Sequence, residues 1–429
     1  MIKFWSQNRN LIFLTLITLL SIHACTKVPA PLPQPIAHPQ TLTGLDVMEK
    51  NTFSLLKNAS VGLVVNQTSV NRHGVHILTL LSNVDSIQIR KIFSPEHGFM
   101  GTSEAGESVA DDTLFALNIP VISLYGNHKK PSAEELDDVD VLVFDMVDVG
   151  SRYYTYLSTL TYVMEAAAVS NIPVIVLDRP NPIGGSVVEG PILLTNFRSF
   201  VGMHPIPTRH GMTIGELAKM INESGWIRNG AQCDLTVIPM ENWHRPQWFD
   251  ETNLPWIPPS PNIPDDTTAL IYNGICLLEG TNISEGRGTH DPFKQFGAPW
   301  MDGDSLTSIL NQLNLPGVRF SSVVFTPESI PGKAKWAKYL DQPCGGCRIT
   351  ITDRESFLSL QTAVMVISII KENYPDQFEF MSTDFIDLLY GSDELKKNFS
   401  LKNDPSSLFR TWEKDVSEFL LFREKFLLY

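Results

Sequence analysis

Basic charge is scarce in this chain. Its 33 Lys and Arg face 47 Asp and Glu, a formal net charge of −14 over 429 residues. Nucleic-acid binding wants a basic face, so that class is set aside. Cysteine is scarce too, at five residues. Cys344 and Cys347 sit in Cys-Gly-Gly-Cys with no second pair or nearby His, which speaks against zinc. In an oxidising compartment a local disulfide between them is the simplest expectation. Cys233 and Cys276 lie in apolar surroundings and read as buried free thiols.

Long apolar runs are nearly absent. Leu11–Ile22 is the single long one, short of the roughly 20 residues a membrane span needs. Lys3 and Arg9 precede it, and Ile22-His23-Ala24-Cys25 follows. That layout resembles a lipoprotein signal, with Cys25 as the expected lipidated residue and residues 1–24 removed; ordinary cleavage near Ala24 and an uncleaved anchor are the alternatives. Residues 25–43 then carry Pro29, Pro31, Pro33, Pro35 and Pro39, a composition that favours extended chain and reads as a tether. The expected location is the cell envelope, facing the periplasm, held to the membrane by the N-terminal lipid.

Nucleotide signatures are missing as well. Asn66-Gln67-Thr68-Ser69 follows the first apolar strand without a glycine, and no Walker loop, Gly-x-Ser-x-Gly elbow or His-Glu-x-x-His occurs. No cofactor is expected. Asp145 and Asp148 lack a clear third ligand, so no metal is expected either.

From residue 44 the chain alternates apolar strands and helices. Strands are expected at 61–65, 87–93, 121–124, 139–144 and 174–177. Helices are expected at 76–82, 133–136, 154–170 and 213–224, with Thr213 and Glu216 spaced as a capping box. Apolar strands separated by helices predict an α/β fold, a parallel sheet covered on both faces. Residues 44–260 are assigned to this domain and 261–429 to a smaller α+β domain, with helices at 305–313 and 355–371, strands at 318–325 and 348–352, and a helical tail.

Ligands of such sheets bind at the strands' carboxyl ends. Glu96, between Pro95 and His97-Gly98 after a strand, is the leading candidate for general acid/base work. Glu189, Glu279 and Glu285 are candidates for the second carboxylate a glycosidase needs. Arg152, Arg179, Arg209, His210 and Arg287 recur beside these motifs and fit an anionic ligand. Tyr125, Tyr154 and the tryptophans are candidates for stacking on sugar.

Six motifs in order carry a family resemblance. They are Ser-Pro-Glu-His-Gly at 94–98, Asp-Val-Gly-Ser-Arg-Tyr-Tyr-Thr-Tyr at 148–156, and Leu-Asp-Arg-Pro-Asn-Pro-Ile-Gly-Gly at 177–185. Val-Glu-Gly-Pro at 188–191, Arg-His-Gly-Met-Thr-Ile-Gly-Glu-Leu at 209–217 and Glu-Gly-Thr-Asn-Ile-Ser-Glu-Gly-Arg-Gly-Thr at 279–289 complete the set. Together they resemble the bacterial exo-β-N-acetylmuramidase (NamZ) family. The resemblance implies a Rossmann-like N-terminal domain, a smaller C-terminal domain and a cleft between them. It implies hydrolysis of terminal, non-reducing N-acetylmuramic acid from peptidoglycan-derived glycans. Glu96 matches the family's motif glutamate, with His97 beside it and Glu189 leading as second carboxylate. Arg152, Tyr154, Arg179, Asn181, Arg209, His210, Glu279, Asn282, Glu285 and Arg287 are expected to line the sugar site, the arginines meeting the lactyl carboxylate. A non-catalytic lipoprotein that captures wall fragments is the alternative. An esterase or amidase is a third reading, without an evident triad.

Overall fold

The computed structural model describes residues 39–104, 112–114 and 118–429. The signal, Cys25 and most of the tether lie outside the described residues.

Strand β1 (Ser60–Val65) reads Ser-Val-Gly-Leu-Val-Val and is buried almost throughout. Strands β2 (Gln88–Ser94), β3 (Asp112–Leu114), β4 (Ile119–Ser123), β5 (Val141–Asp145), β6 (Val174–Leu177) and β7 (Leu235–Ile238) join it in one sheet. The order is β3-β4-β2-β1-β5-β6-β7. Only β3 runs antiparallel, against β4. The six parallel strands, counted along the chain, thus stand in the doubly wound order 3-2-1-4-5-6.

Both faces are covered. Val61, Leu63 and Val65 of β1 point to one core, shared with Leu45 and Ile77. Those two residues come from α1 (Gly44–Lys50) and α2 (Ile77–Ser82). Val64 points to the other core, with Phe93, Leu142 and Phe144. Helix α3 (Tyr156–Ser170) and α4 (Ile214–Glu223) cover that face through Leu160, Val163 and Leu217. This is the period-two alternation of a strand buried on both sides. The Thr213–Glu216 capping box forms in both directions.

The remainder begins with α5 (Asp266–Ile275). An antiparallel sheet follows, built of β8 (Gln295–Ala298), β9 (Val318–Phe325) and β10 (Cys344–Ile351) in the order β8-β10-β9. Helix α6 (Gly303–Gln312) packs beside it. Helices α7 (Ser359–Asn373), α8 (Phe385–Tyr390), α9 (Glu394–Ser400) and α10 (Ser406–Arg423) complete the chain. Gly274 of α5 lies against α7 so closely that a Cβ would meet the Ser359 carbonyl at 1.9 Å. Residues 39–429 form one compact unit.

Two expectations need correction, and one helix was not expected. Residues 133–136 form turns, not a helix. Ser132 and Glu135 exchange cap-like hydrogen bonds, but four residues are too few to repay helix nucleation. Gly44–Lys50 is a helix that the apolar pattern does not announce; its signal is the Thr43–Asp46 capping box. Cys344 and Cys347 are both free. They sit three apart in the regular register of β10. Side chains at that spacing leave opposite faces of a strand, about 10 Å apart along it, beyond disulfide reach.

Candidate active site

Glu96 is placed by the turn that ends β2. His97 and Gly98 both have left-handed backbone, with φ of 72° and 77°. Gly98 N–H closes the turn on the Pro95 carbonyl at 3.0 Å. Left-handed backbone at a non-glycine residue is costly and concentrates at working sites. The His97 ring is held through Nδ1 to the Ser103 carbonyl at 2.7 Å. That acceptor requires a proton on Nδ1, so Nε2 is the ring's acceptor when neutral. Burial pushes the His97 pKa below its ordinary value, against the raising effect of Glu96.

Glu96 is buried, with 7 % of the residue exposed. Its Oε2 accepts a hydrogen bond from Thr155 Oγ1 at 2.6 Å. Thr155 is the N-cap residue of α3, yet its hydroxyl makes no cap bond to that helix. It is spent on Glu96 instead. The carboxylate therefore sits near the positive end of a 15-residue helix.

Below this, the crevice between β1 and β5 is filled. Asn66, at the end of β1, accepts hydrogen bonds from the Thr68 N–H and hydroxyl. Its Nδ2 donates to the Tyr156 hydroxyl at 3.0 Å, which donates to the Pro259 carbonyl at 2.7 Å.

Glu96 opens into a cleft of about 380 Å³. Tyr125, Tyr153, Tyr154, Phe200, Tyr272 and Phe293 form much of its wall. Tyr154 packs edge-on to Tyr156 and to Tyr272, and Tyr272 edge-on to Phe293, so these rings form one packed aromatic cluster in the wall. Glu279 and Arg287 line the same cleft. Arg287 Nε and Nη2 both reach Glu279 Oε1, at 3.0 and 2.7 Å. Its guanidinium stacks 5.0 Å from the Phe293 ring centre. Behind it, Glu285 stands 3.6 Å from Arg287 and 3.0 Å from Lys338 Nζ. Burial pushes the Glu285 carboxyl up, but Lys338 and Arg287 outweigh it and hold it low.

A groove around His204 and Trp226 is larger, about 610 Å³. Its one lining carboxylate, Glu165, is tied to Lys130 at 2.8 Å, and it lies away from Glu96.

Of the residues expected at the sugar site, Glu96, His97, Tyr125, Tyr154, Glu279 and Arg287 line the cleft. The others are elsewhere. Glu189 accepts the Gln361 N–H at 2.7 Å, at the start of α7. Leu358, the N-cap of α7, has no side-chain cap bond, so Glu189 caps that helix from another part of the chain. Arg152 is buried and donates only to backbone carbonyls, of Pro191, Ile206, Leu389 and Tyr390. Arg179 is paired with Asp145 at 2.8 Å. Arg209 donates to the Ile183 carbonyl, and Asn181 to that of Met212. His210 has no exposed surface and accepts the Met212 N–H at 3.2 Å. Asn282 bridges the Gln377 carbonyl and the Glu379 N–H. One cause serves for most of these. Irregular loops leave buried backbone groups that need partners, and these side chains supply them. None of Trp243, Trp248, Trp256 and Trp300 lines the cleft. Thr155, Phe200, Tyr272, Phe293 and Lys129 do line it and were not anticipated.

A doubly wound sheet that sets one carboxylate, Glu96, at a strand end, in an aromatic-walled cleft that a second carboxylate, Glu279, also lines, has the equipment of a glycoside hydrolase. The comparisons with known proteins agree. Residues 61–267 match the family described as exo-beta-N-acetylmuramidase NamZ, N-terminal, and residues 270–429 its C-terminal counterpart. The chain is 40 % identical over 409 residues to the peptidoglycan beta-N-acetylmuramidase NamZ of Bacillus subtilis (strain 168), covering 95 % of this chain and 96 % of that one. Two solved DUF1343 family proteins of Bacteroides fragilis NCTC 9343 superpose with TM-scores of 0.83 and 0.74. Each is 34 % identical and covers 91 % of this chain and 99 % of its own. The chain belongs to the NamZ exo-β-N-acetylmuramidase family.

Proposed function

We propose that the cleft removes terminal, non-reducing N-acetylmuramic acid from peptidoglycan fragments, with Glu96 as general acid. The observation that carries this is the placement of Glu96. It is a nearly buried carboxylate, oriented by Thr155 and opening into a sugar-sized aromatic cleft. Glu96 protonates the departing glycosidic oxygen, the anomeric C–O bond breaks, and water replaces the aglycone. Glu279 takes the place expected for Glu189 as second carboxylate, because it lines the cleft while Glu189 caps α7.

The test is hydrolysis of a chromogenic β-N-acetylmuramide beside the matching glucosaminide. Release from the muramide is expected, and Glu96→Gln should lower kcat by about 10²–10⁴ while substrate still binds. Folded protein that binds the muramide tightly and releases nothing would overturn the reading in favour of a capture protein.

The sequence also supports an anchor. Lipid at Cys25 and the proline-rich tether would hold the enzyme at the cell envelope, where wall fragments are released. Loss of palmitate labelling and of membrane fractionation in Cys25→Ala is the expected outcome. A variant that still fractionates wholly with membranes would refute it.

A further inference from the structure

The expected use of the arginines leaves a gap. A muramic sugar differs from a glucosamine sugar by one group, the lactyl ether on O3, which ends in a carboxylate. Three of the arginines expected to meet it are buried elsewhere, and the fourth, Arg287, is engaged. Arg287 and Lys338 face Glu279 and Glu285, two cations against two carboxylates, with no charge left over for a ligand.

One other cation lines the cleft, Lys129, in the loop after β4. Its Nζ lies 4.7 Å from the centre of the Phe200 ring, which itself lines the cleft. Tyr125 packs against that ring at 5.9 Å and Tyr162 stacks on it at 6.2 Å. The ring is thus fixed from two sides, and the cation–π contact holds the ammonium over it. Among the described residues no carboxylate lies within 4.0 Å of Lys129 Nζ. The neighbouring Lys130 behaves differently, with its Nζ on Glu165 at 2.8 Å. A half-buried lysine held at a cleft wall by an aromatic ring, with no carboxylate within ion-pair distance, is placed to receive an anion.

We propose that Lys129 determines specificity by pairing with the lactyl carboxylate of the terminal muramic acid. The proposal rests on the muramidase reading and names the group that separates muramic acid from glucosamine. It assigns Lys129 no part in bond breaking. Its contribution is made equally in the ground state and the transition state, so it belongs in KM.

The experiment compares wild type, Lys129→Met and Lys129→Arg on two chromogenic substrates, the β-N-acetylmuramide and the same compound with its lactyl group as a neutral amide. A charge-assisted hydrogen bond of ordinary strength corresponds to a rise of about ten- to hundredfold in KM for the acid in Lys129→Met. Lys129→Arg should recover most of it. For the amide, the KM values of wild type and Lys129→Met should differ by less than about threefold. The wild-type KM for the acid should also climb with ionic strength, and that of Lys129→Met should not. An unchanged KM for the acid in Lys129→Met overturns the proposal. An equal loss on acid and amide overturns it too, because that is the mark of a damaged cleft. If wild type cleaves neither substrate, the muramidase reading fails instead. The Lys129 pairing is then read by calorimetry with free N-acetylmuramic acid and N-acetylglucosamine, where Lys129→Met should abolish the preference for the acid. Retention of that preference refutes it.

Discussion

Replacing Arg152 by Met separates a binding arginine from a structural one. The guanidinium donates four hydrogen bonds, at 2.7, 2.7, 3.0 and 2.7 Å, to the carbonyls of Pro191, Ile206, Leu389 and Tyr390. The first pair belongs to the loops before α4 and the second to the end of α8, so one side chain ties together segments about 240 residues apart. Burial lowers its pKa to about 10, which still leaves it charged at neutral pH. Met keeps the length and removes every donor. Four buried carbonyls then lose their partner, each worth about 1–3 kcal/mol, while the cost of burying the charge is relieved. The net expectation is a loss of about 3–5 kcal/mol, the range for uncoupling one side of a buried charged contact. For about 390 folded residues the unfolding entropy is roughly 0.8 kcal/mol per degree, so Tm should fall by about 4–6 °C. Calorimetry on the purified variant reads this directly. KM for the muramide should stay within about threefold of wild type, since Arg152 does not line the cleft. An unchanged Tm with a tenfold or greater rise in KM would refute the structural assignment and return Arg152 to the sugar.

Two further substitutions test the assignments made above. Glu189→Gln removes the anionic cap of α7 and should cost about 1 kcal/mol in a denaturant titration with kcat nearly intact; a hundredfold fall in kcat would place Glu189 in the chemistry. Asp178 is fully buried, and that burial raises its pKa to about 7 despite donors from Tyr429, Gly215 and Thr213. The stability supplied by its protonated form is therefore complete below about pH 4 and is lost as pH rises through about 7, a difference on the order of 4 kcal/mol. Asp178→Asn should flatten that decline between about pH 4 and 7, and parallel stability curves for variant and wild type would disprove it.

Much of the fold was legible because its signals are local. Val174–Leu177 and Val318–Phe325 are strands with the expected bounds. The rule that ligands meet the carboxyl ends of parallel strands placed Glu96 in the cleft without knowledge of its neighbours. What could not be read is direction. Arg152 and Arg287 look alike in sequence, each beside glycine and acidic motifs. One turns inward to carbonyls of distant loops and the other lines the cleft, and nothing local separates them. Glu189 was expected as the second carboxylate, but its partner Gln361 is 172 residues away. Lys129 and Lys130 are neighbours in sequence, yet successive side chains diverge, and only the positions of Phe200 and Glu165 tell them apart.

The plug of Asn66, Tyr156 and Pro259 carries a last consequence. In a doubly wound sheet the switch point between β1 and β5 is the natural seat for a nucleotide's phosphates, approached by bare backbone. Here a chain of hydrogen bonds occupies that seat, so topology and ligand have parted company. The working space is displaced sideways, toward the ends of β2 and β4, where the sheet offers only half an enclosure. Glu279, Arg287 and Phe293 complete it. A fragment ending near residue 267 would retain the whole parallel sheet, Glu96 and the Tyr154 and Phe200 side of the cleft, yet lose the side that Tyr272, Glu279, Arg287 and Phe293 supply.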